Sequence, residues 1–250
     1  MKKIFIVACT LLMGFSLNTF GQKKKVAVVT FYGDKYISFS ELDGTAALAG
    51  NIATLAKDTN FNIKPIVTKF HDTFFNELAA ELPFELYPEE KVIKNPQYIS
   101  YKSVAGETED DSAALLLQHY VVADGYKPLL EFANKKARNE LKMLEIFGPE
   151  VDGVMFVYID FAFVKKIAIG GTGSAGMRAY VRMKLWNKAG DKVFTVNESA
   201  NSGKTIGIVA GVPVLKVEKI LPLCQDAANE IIGDLKKRIP KMASKVDKKL

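Results

Sequence analysis

The sequence predicts an α/β chain of the α+β type: a mixed β-sheet with an antiparallel C-terminal meander, packed with helices. Three patterns carry that prediction. Near the start stands a short, continuous β-branched run, Val26-Ala27-Val28-Val29-Thr30-Phe31-Tyr32, of the kind found in a strand covered on both faces. A period of two runs through much of Val151 to Asn197. Apolar residues at helical spacing lie on both sides of it, and longest near the C-terminus.

Taken in order, the first strand stops at Gly33-Asp34. Leu48, Ile52, Leu55 and Ala56 then predict a helix with Asp43 as its cap. Phe61 to Phe70 reads as a strand, with Phe61, Ile63 and Ile66 to one side and Pro65 marking an edge or a bulge. Asp72 would cap a second helix that buries Phe75, Leu78 and Leu82 and stops at Pro83. Pro83 to Ser103 holds Pro83, Pro88 and Pro96 among Phe84, Tyr87, Tyr98 and Tyr101, and reads as a long ordered loop whose aromatics cover the core. The acidic run Glu107-Thr108-Glu109-Asp110-Asp111 suits the N-terminus of a helix over Ser112 to Ala123 better than a calcium loop, which spreads its ligands around a central glycine. Pro128 opens a further helix, with Leu130, Ala133, Ala137, Leu141 and Leu144 on one face. Lys135, Lys136, Arg138 and Lys142 lie mostly off that face, and Gly148-Pro149 ends it.

The meander follows. Val154, Phe156, Tyr158, Asp160 and Ala162 alternate with Met155, Val157, Ile159, Phe161 and Phe163, so one face of that strand is wholly apolar. Met177 to Trp186 alternates Arg178, Tyr180, Arg182 and Lys184 with apolar residues. Asn187-Lys188-Ala189-Gly190-Asp191 turns the chain, and Lys192 to Asn197 returns. Thr205 to Leu215 is a short apolar segment that belongs in the core. Ile232, Leu235, Ile239 and Met242 share one face of a closing helix that Pro240 kinks or ends.

The first 21 residues read as a secretory signal peptide. Lys2 and Lys3 precede the apolar run Ile4 to Leu17, which is too short for a membrane span, and Thr19 and Gly21 fit a cleavage site. Ile6-Val7-Ala8-Cys9 imitates a lipoprotein signal, but the apolar run continues well beyond Cys9. Residues 22–250 then form a single domain with a basic tail, located in the periplasm or secreted. The formal charge of +6 is dispersed over lysines and shows no nucleic-acid footprint. The lysine-rich ends suit anionic headgroups at a membrane surface, and the Thr205 to Leu215 segment would suit self-association if exposed. Cys224 would be the sole cysteine after cleavage, so no internal disulfide forms, and its setting is that of a buried small hydrophobe.

Several motifs imitate sites. Gly171-Thr172-Gly173-Ser174-Ala175-Gly176 spells a dinucleotide fingerprint, yet a strand pattern follows it where a helix is required, so it reads as a flexible hairpin connection. Ser202-Gly203-Lys204-Thr205 resembles the end of a phosphate loop, but Glu198 stands where the first glycine belongs. His71 and His119 lie outside any metal-ligand spacing. Asp160, on an apolar strand, is the one carboxylate whose setting would raise its pKa, and it has no partner visible in sequence.

The Val26 to Tyr32 strand, the Val151-Asp152-Gly153-Val154-Met155-Phe156-Val157 segment, the meander with Asn187-Lys188-Ala189-Gly190 at its turn and the terminal helix together resemble one envelope family. This is the curli-secretion-channel and penicillin-binding-protein-activator group, relatives of the N-terminal domain of the Tol-system propeller protein. The resemblance implies a mixed sheet packed with helices. It departs at the lipid-bearing cysteine usual in that group, and no functional residue carries over to a numbered position.

The expectation is an exported bacterial cell-envelope protein, a non-catalytic protein-binding or assembly module with no cofactor and no metal. Its partner would be another envelope protein, met by Tyr87, Tyr98, Tyr101, Lys135, Lys136, Arg138 and Lys142. The alternative is a small-molecule or lipid binder with a pocket under the Pro83 to Ser103 loop. A hydrolase would need convergent ionisable side chains in one cleft.

Overall fold

In a computed structural model, which describes residues 23–42, 46–104, 117–131, 138–169, 172–210 and 212–243, a mixed eight-stranded sheet is built around β1 (Lys25–Asp34). β1 pairs in parallel with β4 (Gly153–Ile169) along one edge. Its other edge is shared by the two-residue strand β2 (Glu85–Leu86), parallel, and by β3 (Tyr120–Val122), antiparallel. β4 turns back into β5 (Thr172–Asn187), and β5 pairs antiparallel with β6 (Lys192–Asn201) and, near its start, with β7 (Ile206–Val209). β8 (Val212–Pro213) closes on β7. The predicted fold class and the three-stranded meander are both present, with Gly190 at φ +81° in the turn after β5.

The helices among the described residues are α1 (Ala46–Lys57), α2 (Lys64–Thr73), α3 (Glu89–Ile93), α4 (Pro96–Ser100), α5 (Asn139–Phe147) and α6 (Val217–Ala243). The segment read as a strand over Phe61 to Phe70 is instead α2. Pro65 sits in its first turn, where a missing N–H costs nothing, and Ile66, Val67, Phe70 and Thr73 are buried at helical spacing. Asp72 therefore lies inside a helix and caps none; the chain runs on through a π turn (Phe74–Leu78) and a 3₁₀ turn (Ala79–Glu81). The loop expected over Pro83 to Ser103 contains β2, α3 and α4, the last capped by Asn95, whose side chain accepts from the Gln97 and Tyr98 amides. Tyr120 to Val122 is a strand, not the end of a helix, and Pro128 to Leu130 is not helical, so the described part of that helix begins at Asn139. The cap expected at Asp43 and the acidic run at 107–111 lie outside the described residues.

The sheet separates two cores. On one face Met155, Val157, Ile159, Phe161 and Phe163 of β4 and Met177, Ala179, Val181 and Met183 of β5 pack beneath α1, α2 and α6. Ala227 and Ala228 bring α6 close to the strands, and Cys224 is fully buried there. The opposite face carries a smaller core of Ala27, Val29, Tyr98, Met143, Phe147, Val154, Phe156 and Trp186, which among the described residues covers the N-terminal end of β4. A bulge in β1 between Val28 and Thr30 resets the alternation, so that Val26, Val28 and Phe31 all reach the larger core while Tyr32 faces the other way. Beyond Phe156 that second face turns polar at Tyr158 and Asp160 before the buried Ala162 and Val164.

Candidate functional site

Pairing register builds the polar patch row by row. Tyr32 of β1 lies opposite Tyr158 of β4, and Tyr158 lies opposite Arg182 of β5. In the adjoining row Asp160 is opposite Tyr180, and Asp34 is opposite Tyr120 of β3. One step back Phe156 is opposite Lys184. Because side chains two apart on a strand share a face, Tyr158 and Asp160 necessarily meet Arg182, Tyr180 and Lys184. Glu131, from the segment before α5, closes the wall. The result is a cavity of about 360 Å³ lined by Tyr32, Asp34, Tyr120, Glu131, Tyr158, Asp160, Arg182 and Lys184, with Leu130.

Its electrostatics follow from partial burial of many charges at once. Lys184 Nζ donates to Glu131 Oε2 at 2.6 Å, and Arg182 Nη1 lies 3.4 Å from Asp160 Oδ2. Both cations also lie over aromatic rings: Lys184 Nζ is 5.5 Å from the Tyr158 centroid, and the Arg182 guanidinium is 5.8 Å from Tyr158 and 5.6 Å from Tyr180. Burial pushes Asp34 up to about 7 against the opposing hydrogen bond from the Tyr36 amide, and the Asp160 charge adds to the rise. Burial likewise raises Glu131 and Asp160, although Lys184 and Arg182 pull them back. Burial, then the charge of Asp34, pushes the Tyr120 phenol up to about 12.

Two atoms in this wall are left over. Glu131 has only 7% of its side chain exposed, and among the described residues its Oε1 is buried without a hydrogen-bond partner. Arg182 Nε is in the same condition. Buried polar atoms of this kind normally find a partner, so an acceptor and a donor stand unsatisfied in one cavity wall.

The residues singled out from sequence sit elsewhere. Tyr98 is fully buried in the smaller core, where its hydroxyl donates to the Val29 carbonyl and accepts from the Lys127 amide. Tyr87 is buried beside it and donates to Glu150 Oε2 at 2.6 Å; burial, with that carboxylate, pushes its phenol up to about 12. Tyr101 donates to Asn139 Oδ1. These rings fill the space under the Pro83 to Ser103 segment, which is the core-covering role expected of them. Arg138 pairs with the buried Glu140 at 2.7 Å, and Lys142 with Glu145 at 2.6 Å; Lys135 and Lys136 lie outside the described residues. Asp160, by contrast, has gained partners that strand pairing supplies.

The imitation motifs resolve structurally. Thr172 to Gly176 are part of β5, which pairs back on β4 from Ile169 opposite Thr172, so most of the fingerprint is strand at the start of a hairpin arm; Gly171 lies outside the described residues. The Gly203 and Lys204 amides both donate to Asp226 Oδ2, so these two donors are already engaged by a carboxylate of the chain. Among the described residues no group of three or more His, Cys, Asp or Glu side chains is arranged to hold a metal ion, and no helix is long and apolar enough to cross a membrane.

No family model and no curated relative matches the sequence. Among solved structures, a lipoprotein from Neisseria meningitidis aligns over 72% of this chain and 84% of its own, at 12% identity and a TM-score of 0.35. A hypothetical protein from Chlamydia trachomatis aligns over 87% of this chain and 98% of its own, at 10% identity and a TM-score of 0.30.

Proposed function

We propose that this is an exported protein of the bacterial cell envelope that acts by binding, and that the cavity on the second face of the sheet holds a small polar ligand. The Lys2-Lys3 pair with the apolar run behind it supports export. The observation that carries ligand binding is Glu131: a carboxylate oxygen buried without a partner in the wall of a cavity whose volume is within the range of small-ligand sites, about 300–1,000 Å³. The cavity does bring convergent ionisable groups together, as a hydrolase would require. Yet Asp160 is engaged by Arg182 and Glu131 by Lys184, which suits fixed recognition better than proton transfer. Native mass spectrometry of protein isolated from the envelope fraction tests the reading. A bound small molecule that is lost in Glu131→Gln is expected; a ligand-free protein, or a ligand retained by the variant, refutes it.

A second reading, docking of another envelope protein, is favoured by the far end of the β4–β5 hairpin. Ile167 and Ile169 are 63% and 78% exposed there, and Val209 of the adjacent β7 is 63% exposed. Crosslinking in intact cells separates the readings, because Ile169→Asp would abolish a trapped neighbour without touching the cavity.

A further inference from the structure

We infer that the ligand of this cavity is a neutral, polyhydroxylated ring, a saccharide unit held by Glu131 and Arg182. The inference rests on the small-ligand reading above and names its chemical class. Glu131 Oε1 and Arg182 Nε are both buried without a hydrogen-bond partner among the described residues, and although the Tyr158 hydroxyl acts on both side chains, these two atoms leave room for one more donor and one more acceptor. A hydroxyl is the simplest group that both donates and accepts, so adjacent hydroxyls on one ring answer both needs without importing charge.

The charges already present argue against the other classes. An anion would find Arg182 and Lys184 already paired with Asp160 and Glu131, and would bring a further negative charge beside those two carboxylates. A cation would compete for aromatic faces that the protein has already filled: Tyr158 is stacked on Tyr32 at 5.0 Å and also lies under Lys184 and Arg182, and Tyr180 lies under Arg178 and Arg182. What remains for packing is Tyr120, half-buried and edge-on to Tyr32 at 4.8 Å, with Leu130. Those surfaces suit the C–H face of a sugar ring. A cavity of about 360 Å³ is close to the lower bound for small-ligand sites, which favours one ring over a long chain.

The test is calorimetric titration of the mature protein with D-glucose, D-galactose and N-acetyl-D-glucosamine, against glucosamine, glucuronate and glycine as charged controls. Saturable binding of a neutral sugar is expected, weakened about tenfold or more in the deoxy analogue that lacks the hydroxyl contacting Glu131. Glu131→Gln and Arg182→Lys should each weaken it about as much while melting within about 3 °C of the parent. Should either variant fail to fold, saturating sugar must still protect Tyr120 of the parent protein from nitration, and unchanged nitration overturns the inference. Binding confined to glucosamine or glucuronate overturns the neutrality of the ligand, binding confined to glycine overturns the saccharide class, and either leaves the small-ligand reading standing. Absence of binding to every probe, with no ligand co-purifying, overturns both.

Discussion

The rings of Tyr32 and Tyr158 lie parallel, 2° apart in plane and 5.0 Å between centroids, across the pairing of β1 with β4. This stack forms the floor of the cavity and places two strands from distant parts of the chain in fixed register. Its worth can be measured by a double-mutant cycle of Tyr32→Leu and Tyr158→Leu in urea denaturation. A coupling of about 1 kcal/mol is expected, and additive losses would show that the rings are neighbours without interaction.

Asp34 makes stability depend on pH. The folded state keeps its proton up to about pH 7, whereas the unfolded chain releases it near pH 4. Between those values the folded state binds more protons, so stability falls as pH rises across that window. Asp34→Asn retains the acceptor for the Tyr36 amide and removes the titration. Its stability curve should be flatter and the variant more stable than the parent at pH 8, with the residual slope due to Glu131 and Asp160, both raised by burial. Equal slopes in the two proteins would assign the titration to another group.

Gly33 holds α2 against the sheet by having no side chain. A Cβ there would stand 2.7 Å from Val67 Cγ2, 3.1 Å from Ile63 Cδ1 and 3.3 Å from Ile159 Cγ2. Gly33→Ala should therefore cost about 1–3 kcal/mol through overpacking. Chemical denaturation provides the measurement, and a neutral outcome would mean that α2 rides free of β1.

Cys224 is buried, and burial pushes its thiol far above the ordinary range. A thiol reagent should leave the native protein unmodified and react fully in guanidinium. Rapid native labelling would mean that α6 opens from the strands.

The site was half legible. Arg178, Tyr180, Arg182 and Lys184 alternate visibly along β5, and Asp160 stands out on β4, so an antiparallel pairing of the two segments already brings acid and base together. Tyr32 and Asp34 could not be added from sequence, because the parallel pairing of β1 with β4 spans over a hundred residues and is shifted by the bulge after Val28, and Asp34 pairs with Tyr120 of the likewise distant β3. Glu131 lies where helical spacing predicts a helix from Pro128, but Pro128 to Glu131 is not helical in the structure, so its place in the wall could not be read from that pattern. The misreading of α2 has a local cause: Phe61 and Ile63 alternate before the helix begins, and Pro65 marks a helix start as readily as a strand edge.

By itself the sequence determined the fold class, the meander with its turn at Asn187 to Asp191, the apolar face of β4 and the burial of Cys224. Each of these rests on a repeat or a turn signal confined to a few neighbouring residues. The tertiary structure decided which polar face would become a cavity. Among the described residues the helices on the second side are short and cover one end of a 17-residue strand, and the charged and tyrosine-bearing rows beyond them face one another. No local pattern encodes that mismatch of lengths, since it arises where segments distant in the chain meet.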